Sequence, residues 1–205
     1  MARDGTATKE KILDAGQQLL LKQGYGGTSV DQVIEEAGIT KGAFFYHFKS
    51  KNDLANAMMD RFVKMDDELL HELMDRVEKL SHDPLQQYLI FVGLFEERIR
   101  NMDQPHPGCL IASYIYQIEA FSPETRQAVI DGFDEWRRVL VGKLEEAIKK
   151  QKPKLPVTAS QIYDNLLSQF EGGVILGKLY NNTESLIDQI NQHKNYVELL
   201  FGVHD

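Results

Sequence analysis

From Leu54 to Leu80 the apolar side chains Leu54, Met58, Phe62, Met65, Leu69, Leu73, Val77 and Leu80 return every three or four residues, the period of an α-helix. A helix running from there to about Ser81 is roughly 45 Å long at 1.5 Å per residue, enough to join two lobes. No stretch of the chain alternates β-branched and polar residues with the period of two that a strand requires. The fold class read from this pattern is all-α, with about nine helices.

Local punctuation places the other helices. A first helix spans about Thr8 to Gln23, its stripe formed by Ile12, Ala15, Leu19 and Leu20, and Gly24 is placed to end it. Thr28 is read as the cap of a short second helix that turns Val30, Val33 and Ile34 inward, and Thr40 as the cap of a third that ends near Phe48. Ser50 with Asp53 three residues on reads as a capping box that opens the long fourth helix. Asp83-Pro84 starts a fifth helix with Tyr88, Leu89, Val92, Phe95 and Ile99 on one face. The Pro- and Gly-rich run from Gln104 to Gly108 breaks the chain before a sixth, from Cys109 to Ala120. Ser122-Pro123-Glu124 begins a seventh, with basic residues at its end, and two more follow near 158–180 and 183–201.

Composition narrows the class. Apolar residues at 42% and charged residues at 26% of 205 fit an ordinary globular protein, and no apolar run has the length of a membrane span. No membrane partner is expected. Met1 to Asp4 carries no apolar secretory stretch, and the single Cys109 cannot form an internal disulfide, so the cytoplasm is the expected compartment. The net charge of -8 argues at first against a polyanion partner. Residues 1–55, however, hold seven basic and seven acidic side chains, while the other 150 hold 16 and 24. The acidic excess therefore lies wholly outside the N-terminal quarter.

That quarter carries the informative motif. The second and third helices are joined by only Ala37-Gly38-Ile39-Thr40, with Gly38 where the chain must reverse in a left-handed conformation. This is the spacing of a helix-turn-helix, whose second helix enters the DNA major groove by its N-terminal half. Lys41, Gly42 and Ala43 are slim or flexible enough to approach base edges, while Phe44 and Phe48, four apart, share an inward face. Tyr46 and His47 then point outward as donors to phosphate, Lys51 adds a charge, and the helix starts at Thr28 and Thr40 favour anions. Helix spacing alone also fits a compact three-helix bundle that meets no DNA.

Residues 8–55 resemble the tetracycline-repressor (TetR/AcrR) family of bacterial transcription regulators. The resemblance runs through Ile12-Leu13-Asp14-Ala15, Gly24 to Val30, Ile34 to Gly42, and Phe45 to Leu54. It implies a DNA-binding head over 1–52 and a larger helical body over 53–205 that binds a small-molecule effector and dimerises through its last two helices. By position, Lys41, Gly42, Ala43 and Phe45 would lie at the groove, and Thr28, Tyr46, His47 and Lys51 at the DNA backbone. Phe45 stands where the family commonly has Tyr, so one hydroxyl contact is missing. The implied protein is a homodimeric repressor of a palindromic operator, released by an effector or by modification of Cys109. An enzyme or interaction module with a vestigial head is the alternative. No cofactor is implied.

Body residues are assigned more coarsely. Phe62, Met65, Phe91, Phe95, Tyr114, Trp136 and Phe170 read as core or as the lining of an effector cavity. Cys109 follows Pro107-Gly108 at a helix start, where amides lower a thiol pKa, and Pro-Gly-Cys-Leu at this place is similar to family members that sense oxidants or electrophiles through a cysteine. The alternative is a small buried residue. Leu186, Ile190, His193, Val197 and Leu200 form an apolar stripe on the last helix that would face water without a partner, and Gly173 and Gly177 suit close helix contact, so these seven are the expected dimer interface. Gly172 to Lys178 matches a phosphate-loop spacing, but Leu179 replaces the Ser/Thr that would hold magnesium. His71-Glu72 lacks the second His of a zinc helix and His71 reads as a solvated pair with Asp75, so no metal is expected; no Ser occupies a G-x-S-x-G elbow.

Overall fold

The computed structural model describes residues 5–104, 106–115 and 121–203. Among them are nine helices and no strand: α1 (Gly5–Gly27), α2 (Val30–Glu36), α3 (Lys41–His47), α4 (Lys51–Leu80), α5 (Pro84–Arg100), α6 (Leu110–Ile115), α7 (Pro123–Lys150), α8 (Ala159–Tyr180) and α9 (Glu184–Phe201). The stretch 116–120, expected to continue the sixth helix, lies outside the described residues. No described helix is long and apolar enough to cross a membrane.

Helix ends follow the local chemistry, with one correction. Gly24 breaks α1 at φ 76°, and a further turn runs on to Gly27. The cap of α2 is Ser29, not Thr28. Ser29 and Gln32 form a reciprocal capping box, while the Thr28 hydroxyl donates back to the Gly24 carbonyl at 2.9 Å. Ser50 Oγ accepts the Asp53 N–H, and the Asp53 carboxylate accepts the N–H of Lys49, one residue earlier than a standard box would place it. Asp83 caps α5 with Pro84 in the first turn, and left-handed Asn181 and Gly202 end α8 and α9.

The chain divides into two compact units, residues 1–65 with 109–131, and 66–108 with 132–205. The first buries Ile12, Leu13, Leu20, Val33, Phe44, Phe48, Leu54 and Met59. Gly16 lets α1 approach α4: a Cβ there would meet Met58 Sδ at 2.9 Å. Tyr114 of α6 stacks on Phe121 at 4.1 Å, and its hydroxyl donates to the Ala55 carbonyl at 2.7 Å. In this unit α6 lies against α1.

The second unit is built around α5, α8 and α9, joined by parts of α4 and α7. Its core holds Leu70, Leu73, Val77, Tyr88, Phe91, Leu140, Leu144, Ile162, Leu166, Leu186, Ile190, Val197, Leu200 and Phe201. Each such side chain contributes about 1.5–3 kcal/mol by leaving water. The stripe Leu186, Ile190, His193, Val197 and Leu200 is buried inside one chain. This corrects the expectation that it forms the dimer interface, because α5 and α8 already cover it. Gly173 and Gly177 are close-contact positions within the chain too: an added Cβ would lie 2.8 Å from Leu186 Cα and 2.8 Å from the Asn182 carbonyl oxygen. Gly172 to Lys178 lies inside α8, where the helix uses the amides a phosphate loop would need free.

Candidate functional site

The turn between α2 and α3 is fixed by two residues. Gly38 takes φ 62° and its N–H reaches the Glu35 carbonyl at 3.1 Å, while Ile39 N–H reaches that of Ile34 at 3.2 Å. Thr40 then starts α3, its Oγ1 accepting the Ala43 N–H at 3.2 Å. Phe44 and Phe48 anchor α3 from below, both buried, with ring centroids 5.9 Å apart. The opposite face is left to solvent: Thr40, Lys41 and Gly42 are exposed, Ala43 and His47 partly so, Phe45 is exposed and Tyr46 is 82% exposed. Tyr46 stands edge-on to His47 at 4.9 Å.

Lys41 makes an exposed ion pair with Asp31 at 3.4 Å. Such a pair is worth at most about 1 kcal/mol, so it is readily exchanged for a stronger anion. Two residues assigned to the DNA backbone are engaged elsewhere. Thr28 is buried with its hydroxyl on Gly24. Lys51 Nζ donates to the carbonyls of Tyr25 and Thr28 at 2.7 and 2.8 Å and sits 4.1 Å from the Tyr25 ring centroid. The Tyr25 carbonyl also accepts the Thr28 N–H at 3.3 Å, so the ammonium is a second donor to it. Lys51 thus ties down the end of α1 with two of its three N–H donors. The box Ser29-x-x-Gln32 was a legible signal for the true cap.

In the body, four of the chosen aromatics come together. Phe91 and Phe95 meet Trp136 at 5.7 and 5.8 Å, and Phe95 meets Phe170 at 5.5 Å. Phe62 and Tyr114 belong to the other unit, and Met65, 62% exposed, does not line an enclosed cavity. Cys109 is partly buried, and its Sγ accepts the Ala112 N–H at 3.3 Å. A surface groove lined by Glu72, Leu73, Arg76, Leu94, Arg98 and Met102 involves none of the chosen residues.

His71 pairs with Asp67 at 3.4 Å through Nδ1, not with Asp75, and faces Glu135 at 3.9 Å through Nε2. Its two ring nitrogens thus face different carboxylates, and Arg138 holds Glu135 through two N–H groups. This is a solvated charge network. The unforeseen feature of the body is Asp66, whose carboxyl burial pushes up to about 6. A polar residue among Lys64, Asp67 and Glu68 gave no signal of burial.

Comparison with known families decides the class. Residues 12–58 match the model of bacterial regulatory proteins of the tetR family, and residues 91–192 match the tetracyclin repressor-like C-terminal domain. The chain belongs to the TetR family. It is thereby a DNA-binding transcriptional regulator. Among similar TetR proteins is the transcriptional repressor DhaR of Mycobacterium sp. strain GP1, 23% identical over 91% of this chain and 89% of that one. A TetR-family regulator from Agrobacterium tumefaciens shares the fold with TM-score 0.76 at 21% identity, over 94% of this chain and 98% of that one. The reduced form of NemR from Escherichia coli shares it with TM-score 0.66 at 21% identity, over 92% and 96%.

Proposed function

We propose that this regulator binds a palindromic operator as a homodimer, with head 1–52 on DNA, and that an effector in body 53–205 releases it. The observation that carries this is the solvent face of α3, where Lys41, Gly42, Phe45 and Tyr46 are exposed above the buried Phe44 and Phe48. Such a helix offers slim residues to base edges at its start and a phenol to phosphate farther on. The dimer uses apolar side chains left exposed on the last two helices, Ile175, Leu179 and Leu199. An effector acts by preferring the body conformation in which the two heads no longer match half-sites about one DNA turn apart.

Selection of bound DNA from a random pool, followed by titration at several salt concentrations, tests the reading. A two-fold symmetric site and affinity that falls steeply with salt are expected. Lys41→Ala should cost about 1–3 kcal/mol on that site and relax one base position per half. Recovery of no preferred sequence, or affinity indifferent to salt, overturns the operator reading.

Modification of Cys109 is a second trigger, favoured by the Ala112 N–H on its sulfur, which stabilises a thiolate. Alkylation of the native protein should then outpace that of free cysteine at pH 7 and release DNA, and Cys109→Ser should keep DNA binding without the response. Resistance to alkylation until unfolding removes this trigger.

A further inference from the structure

Arg61 lies on α4 and turns its guanidinium to α1. Its Nη1 donates to Glu10 Oε2 at 3.0 Å and to Asp14 Oδ1 at 2.7 Å, and its Nη2 donates to Gln17 Oε1 at 2.8 Å. Positions 10, 14 and 17 are four and three apart, so they stand in one row along α1. The Arg61 side chain is only 19% exposed, which sets this contact apart from the solvated pair of Lys41 with Asp31, at 69% and 80%. Its Nε is buried with no acceptor among the described residues. A guanidinium so enclosed is costly unless its remaining donors are satisfied, and α1 satisfies them.

Lys51 fastens the other end of α1, at the carbonyls of Tyr25 and Thr28. Arg61 comes ten residues later on α4, about 15 Å farther at 1.5 Å per residue. One fastening would leave α1 free to swing about it, whereas two so far apart fix its angle to α4. Between them Gly16 lets the helices meet at Leu54 and Met58. In turn α1 packs against α2 and α3, all within the first compact unit. The angle that α1 keeps to α4 is therefore the angle that α3 keeps.

We propose that Arg61 is a positioning residue for DNA binding: by clamping Glu10, Asp14 and Gln17 it sets the angle of α3 to α4, and with it the half-site spacing that the two heads of a dimer accept. The spacing clause rests on the homodimer and operator reading above, and the clamp does not. Arginine suits the task where lysine would not, because its planar fork reaches several acceptors in fixed directions. Without the clamp the head samples other angles, and apparent affinity falls by the fraction of time spent at the competent one. A head at that angle about one-tenth of the time binds about tenfold more weakly.

Full-length wild type and Arg61→Met are titrated with the site selected from a random pool, with the same site lengthened or shortened by one base pair between its halves, and with random-sequence DNA. The wild type should favour the selected spacing by about tenfold or more over both altered ones. Arg61→Met should bind the selected site about tenfold more weakly, favour it over the altered spacings by less than about threefold, and bind random DNA as the wild type does. A wild type indifferent to spacing, an equal loss on every DNA, or an Arg61→Met protein with the wild-type preference overturns the positioning role. The clamp has a readout free of DNA. In urea, Arg61→Met combined with Asp14→Ala should cost less stability than the sum of the two single substitutions, because the contact they share is lost once. Additive losses overturn the clamp. A wild type that selects no preferred sequence overturns the operator reading and the spacing clause with it, while the urea comparison still decides the clamp.

Discussion

Val197→Asp is expected to cost the protein its cooperative fold, whereas Leu199→Asp is expected to leave it folded and monomeric. The two positions are two residues apart on α9 and face opposite ways: Val197 is fully buried, and Leu199 is 69% exposed. A carboxylate at 197 would sit among Tyr88, Ile190, Leu200 and Phe201 of the core cluster, where none of these supplies a countercharge. An unpaired charge in such surroundings costs several kcal/mol, a large part of the 5–15 kcal/mol that holds a typical domain together. At 199 the same substitution changes chain stability by about 0.5 kcal/mol or less, but places two like charges across a twofold contact. Circular dichroism with thermal melting separates folded from unfolded protein, and sedimentation separates monomer from dimer. A folded, monomeric Val197→Asp protein would show that the buried stripe meets a partner after all. A Leu199→Asp dimer would move the interface off this face.

The contrast marks what periodicity conveys. Spacing of three and four along α9 identified its apolar face correctly, but spacing does not say what covers a face. Here the cover is intramolecular, supplied by α5 and by α8 at the close approach of Gly173 to Leu186. Gly38 and Thr40 were legible because a left-handed turn and a helix cap are decided within four residues. The Thr28-Ser29 choice was decided by Gln32, three residues beyond the true cap. Lys51 was less legible, since its partners are carbonyls of residues 23 and 26 positions earlier, brought to it by the fold. Asp66 was invisible for the same reason: its carboxyl is raised by burial that the fold, not its neighbours in sequence, supplies. Local chemistry could be read from sequence, while partners brought by the fold could not.

Acid should destabilise the second unit through His193, and the effect should be measurable against Asp66, which acts in the opposite sense. His193 is fully buried, with Nε2 2.9 Å from the Tyr88 hydroxyl and Nδ1 2.8 Å from Asn165 Oδ1. Since Asn165 Oδ1 only accepts, Nδ1 carries the proton and Nε2 accepts from Tyr88, so the neutral ring is satisfied on both sides. A second proton would face the Tyr88 O–H in a dry site. Burial accordingly lowers the His193 pKa from 6.5 to about 4. Between these values the unfolded chain binds more protons than the native one, so stability is full above pH 6.5 and falls as pH drops toward 4. The loss amounts to about 3 kcal/mol. Asp66 runs the other way: its carboxyl is raised from 3.8 to about 6, so the native state gains protons first and stability rises over that window as pH falls. The wild-type profile mixes the two, and variants are needed to part them. In urea unfolding, the stability of wild type relative to His193→Gln should drop by about 3 kcal/mol from pH 7.5 to pH 4, because Gln makes both hydrogen bonds and does not titrate. The difference between wild type and Asp66→Asn should shift in the opposite direction over the same range. A His193→Gln difference that stays constant with pH would mean the imidazole is not held neutral between Tyr88 and Asn165.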